Sequence, residues 1–164
     1  MARVFVTVGT TEFDKLVRTV TSTDVLSTLS SRGYREMVLQ IGAGKTEPPT
    51  GTFEGVAVRW FRSKPSIAED MASADLVIGH AGAGTCLEAL RAGRPLVVVT
   101  NTTLMDNHQA ELAGRLAADG HLLHCVCETL RDTLAGMELS QLRPLPPADP
   151  TPFAEHLERR LGLR

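Results

Sequence analysis

The feature that most constrains the fold is a series of short, uninterrupted apolar runs along the chain. Most of these runs are rich in Val, Ile and Leu, with little alternation between apolar and polar residues. Such runs are typical of parallel strands that are covered on both faces of a sheet. They predict strands at residues 4–8, 37–41, 56–61, 76–78, 96–100 and, with a less regular pattern, 122–126.

Segments with helical periodicity separate the runs. Their apolar side chains recur at spacings of three and four residues, which indicates amphipathic helices. The stripes are Phe13, Leu16, Val17 and Val20, continued by Val25, Leu26 and Leu29; Ile67, Met71 and Ala74; Leu87, Leu90 and Ala92; and Ala110, Leu112, Ala113 and Leu116. Gly93 and Gly120 follow the last two stripes, where a left-handed glycine often ends a helix. The alternation predicts an α/β fold with a Rossmann-like, doubly wound, mostly parallel sheet.

The 164 residues suit one domain with a sizeable core. We predict that residues 1–142 form this domain and that the proline-rich residues 143–152 form an extended linker. Residues 153–164 are predicted to form a short C-terminal helix with Phe153, Leu157 and Leu161 on one face. That helix could dock on its own domain or on a partner.

Composition and charge exclude several classes of function. The formal net charge of −2 argues against nucleic acid as a main partner. The apolar run at the start is too short for a signal peptide or a membrane span, so we expect a cytoplasmic chain, or one that reaches a membrane through a partner. The cysteines match neither a zinc pattern nor a C-x-x-C motif, and we expect Cys86, Cys125 and Cys127 to be reduced and buried. We expect no cofactor and no metal.

Two glycine-rich stretches follow predicted strands. Ligands of such sheets bind outside the carboxyl ends of the strands, and bare amides at a helix N-terminus attract phosphate. One stretch follows the first strand, and the other precedes a predicted helix. Together they predict a phosphate site, with candidate residues Gly9, Thr10, Thr11, Gly82, Ala83, Gly84 and Thr85.

Several nucleotide-binding motifs are nearly matched but fail. Leu87 stands where the dinucleotide fingerprint needs its third glycine. Residues 44–46 read Gly-Lys-Thr, but Leu39 stands where a P-loop needs its first glycine. The sequence also contains no D-x-D pair, which argues against a diphosphate bridged by a metal held in that way.

Polar residues near these stretches narrow the type of ligand. Glu88 lies about one turn inside the predicted helix, where its carboxylate could accept hydrogen bonds from both hydroxyls of a ribose. Spacing alone, however, favours a solvated surface glutamate. Four polar residues follow the strand at 96–100: Asp106, Asn107, His108 and Gln109. They could form a helix N-cap, or they could bind a polyhydroxylated ligand whose hydroxyls need both donors and acceptors.

Four segments together resemble a known family: FVTVGTTEFDKLV, LQIGAG, KPSIAEDMASADLVIGHAGAGTCLEALRAGRPLVVV and LMDNHQAELAGRLAADGHL. They are similar to the catalytic, donor-binding subunit of the two-subunit UDP-N-acetylglucosamine (UDP-GlcNAc) transferase of asparagine-linked glycosylation. The resemblance covers nearly all of residues 1–130. More distantly, the chain resembles the C-terminal half of the bacterial transferase that makes the peptidoglycan lipid precursor. Such GT-B enzymes pair two Rossmann-like halves, one for the donor and one for the acceptor.

The resemblance implies a role for each matched residue. Residues 9–11 would lie near the diphosphate, and the backbone near Phe61 would meet uracil. The α-phosphate would be held by Gly82, Ala83 and Thr85, with Gly84 also part of the donor site, and Glu88 would bind the ribose hydroxyls. His108 and Gln109, with the adjacent Asn107, would face the donor sugar. His80 belongs to the H-A-G-A-G signature, and its implied role is to shape the loop or, alternatively, to contact the donor directly.

The resemblance also implies a reaction and a partner. GlcNAc would pass with inversion from UDP-GlcNAc to dolichol-diphosphate-GlcNAc, forming a β-1,4 bond at the cytosolic face of the endoplasmic reticulum. His108, Asp106 and Glu12 are candidates for the general base, which the partner could supply instead. A membrane-anchored subunit would bind the lipid-linked acceptor, and the C-terminal helix would contact that subunit.

Two other functions fit the residues. The chain could be a nucleotide-sugar-binding or regulatory module that is inactive without a partner. It could also be a dinucleotide-dependent oxidoreductase on the same fold, although the missing third glycine counts against this.

Overall fold

A computed structural model describes residues 2–101 and 107–145. They form one sheet in the order β3-β4-β2-β1-β5-β6-β7. Within this sheet, β3 and β4 pair antiparallel, and the other neighbouring strands pair in parallel. The strands are β1 (Ala2–Thr7), β2 (Tyr34–Gln40), β3 (Gly51–Phe53), β4 (Val56–Phe61), β5 (Leu76–His80), β6 (Leu96–Thr100) and β7 (Leu123–Val126).

Helices cover both faces of the sheet, as the doubly wound prediction requires. One core lies between the sheet and the first, second and last helices, and the other lies under the three helices between them. The helices are α1 (Asp14–Val20), α2 (Thr23–Ser31), α3 (Ala68–Ala72), α4 (Ala83–Arg91), α5 (Asn107–Ala118) and α6 (Leu130–Gly136). The α/β fold with a mostly parallel sheet is therefore confirmed.

Local signals account for several boundaries. Gly93 and Gly120 have φ of 70° and 82° and end α4 and α5, as predicted. The first long stripe divides into α1 and α2 because the side chain of Ser22 accepts a hydrogen bond from the backbone N–H of Val25 and caps α2. All three cysteines are buried and unpaired, and burial raises the pKa of Cys86 to about 12.

The start of the predicted linker contacts the domain. The backbone N–H of Arg143 donates to the carbonyl of Gly120 (2.7 Å), and Leu145 packs against the second core. The rest of the linker and the predicted C-terminal helix lie outside the described residues, so the division into segments stays a prediction. Among the described helices, none is both long and apolar enough to cross a lipid bilayer.

Candidate functional site

The two glycine-rich stretches lie at the same edge of the sheet. β1 and β5 are parallel neighbours, so their carboxyl ends meet there. The β1 loop (residues 8–13) follows β1, and the β5 loop (residues 81–82) joins β5 to α4. The structure therefore brings together residues that stand some seventy positions apart in the chain. The β2 loop (residues 41–46) ends on the same edge beside the β1 loop.

The ring of His80 separates the β1 loop from the β5 loop. A Cβ built on Gly9 would lie 3.1 Å from Cε1 of His80, and one built on Gly82 would lie 2.7 Å from the same atom. Gly9 also has φ of 65°, which favours glycine. Both glycines are therefore needed for the loops to close on the imidazole. This contact gives a physical basis for the loop-shaping role suggested for His80.

Burial determines the charge of His80. Its Nδ1 is buried and makes no hydrogen bond of good geometry to any described residue. Burial lowers the pKa of His80, and the nearby backbone of Thr7 only partly opposes this effect. The imidazole is therefore neutral at neutral pH, and it acts between the loops as a packing group rather than as a cation.

The N-terminus of α4 presents amides that no side chain of its N-cap satisfies. Gly82 is the N-cap, so the first N–H groups of the helix lack intrahelical partners. Gly79 lets this end approach the sheet closely, since a Cβ there would lie 3.3 Å from Cγ2 of Thr85. Unpaired amides with the positive end of a helix dipole form a site for an anion such as a phosphate.

Glu88 lies one turn farther along α4. Its side chain is exposed and makes no hydrogen bond or ion pair with the residues that the structure describes. The carboxylate is therefore available to a ligand beside the helix N-terminus. The same exposure is also what a solvated surface glutamate would show, so the ribose role stays a prediction.

The β1 loop uses part of its polar capacity internally. The backbone N–H of Gly9 donates to Oγ1 of Thr7 (3.0 Å), and the hydroxyl of Thr11 donates to the carbonyl of Val8 (2.8 Å). Thr10, Thr11 and Glu12 are exposed at the tip of the loop. Gly9 can therefore contribute close approach to a ligand, while the exposed residues after it can contribute donors.

The β2 loop packs against the β1 loop and supports it. Gly42 has φ of 60°, and a Cβ there would lie 2.8 Å from the carbonyl oxygen of Gly9. The N–H of Ala43 donates to the carbonyl of Thr11 (3.0 Å). The guanidinium of Arg62 in turn donates to the carbonyl of Gly44 (2.7 Å) and holds the β2 loop itself.

The same loop contains the Gly-Lys-Thr sequence that suggested a P-loop. The carboxylate of Asp14 accepts hydrogen bonds from the backbone N–H groups of Lys45 (3.3 Å) and Thr46 (3.1 Å). Gly44 is buried against that carboxylate, and a Cβ built on it would lie only 2.5 Å from Oδ1. A side-chain carboxylate thus occupies the amides that a phosphate would need, which agrees with the rejection of a P-loop.

The structure describes the remaining predicted residues to different extents. Phe61 ends β4, stacks on Phe5 with ring centroids 6.4 Å apart, and has Nζ of Lys64 at 4.2 Å from its own centroid. Asn107, His108 and Gln109 open α5, of which only the backbone is described at these positions, and Asp106 lies outside the described residues. The structure therefore brings together residues 9–11, 80 and 82–85, with Glu88 one turn farther along α4.

Comparisons with known proteins identify the family. The family model described as the glycosyltransferase family 28 C-terminal domain matches residues 3–160. The chain belongs to this family. The UDP-N-acetylglucosamine transferase subunit ALG13 of Mus musculus is 52% identical over 130 residues, which are 79% of this chain and 11% of that protein. The ALG13 subunit of Candida glabrata is 30% identical over 94% of this chain and 96% of its own length.

Solved structures agree with the fold. An NMR structure of ALG13 has a TM-score of 0.73 at 25% identity and covers 95% of this chain and 94% of its own. The crystal structure of MurG from Acinetobacter baumannii has a TM-score of 0.61 at 18% identity, over 98% of this chain and 45% of MurG. The second likeness concerns the fold alone. The chain thus has the Rossmann-like domain of GT-B glycosyltransferases, and it spans only about a tenth (11%) of the mammalian relatives it matches.

Sequence reasoning missed the polar side chains beneath the β1 loop. Thr7 and Gln40 are buried, with 0% and 4% of their surfaces exposed. The hydroxyl of Thr7 donates to Oε1 of Gln40 (2.5 Å). One signal could have revealed them, because each is the polar residue that follows an apolar run, in VFVT and in MVLQ.

Proposed function

We propose that this chain is the donor-binding half of a UDP-GlcNAc transferase and that UDP-GlcNAc binds across the β1 and β5 loops. The observation that carries the proposal is the joint packing of both glycine loops on His80, next to an α4 N-terminus without a side-chain cap. This arrangement places the exposed residues of the β1 loop and the first amides of α4 at the same edge of the sheet. A diphosphate fits the chemistry of these groups, since it needs several N–H donors and close backbone approach.

The rest of the donor follows from this position. The α-phosphate would lie on residues 82–85 and the second phosphate near residues 9–11. Glu88, on the next turn of α4, would then accept hydrogen bonds from the two ribose hydroxyls. The end of β4 near Phe61 would meet uracil. Asn107, His108 and Gln109, at the start of α5, would face the sugar.

Catalysis would depend on stabilising the leaving group. In the inverting transfer, charge accumulates on UDP as the sugar–phosphate bond breaks, and the amides of α4 with the hydroxyl of Thr85 would stabilise that charge. A general base removes the proton of the acceptor hydroxyl. His108, Asp106 and Glu12 are the candidates from this chain, and the partner subunit could supply the base instead.

The acceptor side would come from another protein. We propose a membrane-anchored partner subunit that binds a lipid-linked acceptor, dolichol-diphosphate-GlcNAc, at the cytosolic face of the endoplasmic reticulum. The word "subunit" in the names of the ALG13 relatives supports a partner. The β-1,4 linkage and the second step of lipid-linked oligosaccharide assembly belong to this proposal.

Calorimetric titration of the purified chain tests the donor site. We expect binding of UDP and UDP-GlcNAc, and no binding of GDP-mannose or NAD at the same concentrations. Binding of NAD without UDP would instead favour the oxidoreductase. If the chain binds UDP-GlcNAc but transfers no sugar even with the partner subunit and acceptor present, the regulatory module would be the better description.

A further inference from the structure

The buried pair Thr7 and Gln40 forms a hydrogen-bond relay that ends in the β1 loop. The N–H of Gly9 donates to the hydroxyl oxygen of Thr7 (3.0 Å), and that hydroxyl donates its own proton to Oε1 of Gln40 (2.5 Å). Gln40 therefore determines which way the Thr7 proton points and leaves the lone pairs of Thr7 to accept from Gly9. The relay fixes Gly9, the second residue of the β1 loop, to β1 and β2.

The position of the pair in the sheet is unusual. Thr7 and Gln40 lie directly opposite each other in the parallel pairing of β1 and β2. Within the described part of the chain, they are the two polar side chains that are buried. A pair of apolar side chains would pack there without any desolvation cost, whereas a buried polar group must be hydrogen-bonded. Stability of the core therefore does not require this pair.

We propose that Thr7 and Gln40 are positioning residues for phosphate binding, a role that rests on the proposed function. With its N–H held inside by Thr7, Gly9 presents only a surface without a Cβ to the ligand. Its φ of 65° then turns the chain so that Thr10 and Thr11 lie exposed at the loop tip. Without the relay, the peptide unit that carries the N–H of Gly9 is no longer held by Thr7, and the loop loses its fixed relation to His80 and α4.

Two substitutions at Thr7 separate this role from general stability. Thr7→Val keeps the shape of the side chain but removes both hydrogen bonds, while Thr7→Ser keeps both bonds and loses a buried methyl group. Both changes are expected to lower Tm, so Tm does not distinguish them. Affinity for UDP does: we expect Kd to rise about tenfold, or about 1.4 kcal/mol, in Thr7→Val and to change little in Thr7→Ser.

Uridine, which has no phosphate, is the control ligand. Titrations followed by NMR are expected to give the same uridine affinity for the wild-type chain and both variants. Amide exchange at Gly9 should be slow in the wild type and Thr7→Ser, and fast in Thr7→Val. If Thr7→Val does not fold, Gln40→Met replaces it, with a smaller rise in Kd because the Gly9 bond to Thr7 remains.

The outcomes separate the relay from the donor site. Unchanged UDP affinity in folded Thr7→Val, or an equal loss of UDP and uridine binding, would overturn the positioning role. A wild-type chain that binds no UDP would overturn the proposed function itself, and the relay's role with it. Selective loss of UDP binding in Thr7→Val, restored in Thr7→Ser, is the result that supports the proposal.

Discussion

At the scale of single residues, two glycines of the same sequence motif have opposite surroundings. A Cβ on Gly82 would collide with the ring of His80, whereas a Cβ on Gly84 would meet nothing within 4 Å. Gly82→Ala should therefore displace the imidazole or the loop and weaken UDP binding by about tenfold or more, which corresponds to at least about 1.4 kcal/mol. Calorimetry with UDP measures the effect.

Gly84→Ala is the matched control for this prediction. Because Gly84 lies in the first turn of α4 with open space around it, alanine there should stabilise the fold by about 0.5–1 kcal/mol in chemical denaturation. Equal UDP affinities in Gly82→Ala and the wild type would show that the contact with His80 does not set the loop.

Glu88 gives a second prediction at this scale. Because the carboxylate is exposed and has no partner among the described residues, Glu88→Ala should leave the free energy of unfolding within about 0.5 kcal/mol of the wild type. UDP binding should weaken by about 1–3 kcal/mol if the carboxylate binds the ribose. The control ligand is 2′-deoxy-UDP, for which the variant and the wild type should differ much less than for UDP. An equal loss for both ligands would contradict the ribose role.

At the scale of elements, the β2 loop tests whether the Gly-Lys-Thr sequence binds phosphate. The carboxylate of Asp14, at the start of α1, holds the amides of Lys45 and Thr46. Asp14→Ala should therefore destabilise the fold by about 1–2 kcal/mol, measured by urea denaturation. Lys45→Ala should change neither stability nor UDP affinity measurably, since its side chain is exposed and makes no hydrogen bond or ion pair with the residues that the structure describes. A large loss of UDP binding in Lys45→Ala would instead favour phosphate binding by the Gly-Lys-Thr sequence.

Elements with regular apolar patterns were predictable from the sequence, and those without them were not. The strands at residues 56–61 and 96–100 were predicted to the residue. β3 was missed because all three of its residues are exposed at the sheet edge, so no apolar run marks it. α6 was missed because its seven residues contain too few apolar positions to show a period.

The candidate site likewise has features that the sequence predicts and features that it does not. Glycines before a helix and after a strand carry a local signal, so both glycine loops could be found in the sequence. The position of the His80 ring between them depends on the pairing of β1 with β5. The hydrogen bond between Thr7 and Gln40 depends on the pairing of β1 with β2. Contacts across a sheet are set by register, which a single sequence does not state.

At the scale of the whole molecule, two partly buried histidines make the fold sensitive to acid. Burial lowers the pKa of both His80 and His124 below the ordinary value of 6.5. Between 6.5 and the lowered values, the unfolded chain binds more protons than the folded chain, so the free energy of unfolding falls as the pH falls. Urea denaturation at pH 7.5, 6.5 and 5.5 should show this loss.

A variant identifies the source of the acid sensitivity. His124→Gln removes one of the two groups and keeps a side chain that can hydrogen-bond to the hydroxyl of Thr100. Its stability should therefore depend less steeply on pH between 6.5 and 5.5 than that of the wild type. If the free energy of unfolding depends on pH equally steeply in the two proteins, His124 does not contribute to the acid sensitivity. Other groups would then cause any loss of stability at low pH.

The location of the donor site makes a prediction about the two edges of the sheet. Carboxyl ends of the parallel strands carry the β1, β2 and β5 loops, while the opposite edge carries turns such as residues 93–95 and 120–122. A ligand that binds only the folded chain slows opening of the parts it contacts and, through linkage, raises global stability. Hydrogen exchange with saturating UDP should therefore show strong local protection in residues 8–13 and 81–85. At the opposite edge, only exchange that requires global unfolding should slow. Strong local protection at residues 93–95 and 120–122, with none at residues 8–13, would place the nucleotide on the wrong side of the sheet and reject the donor site.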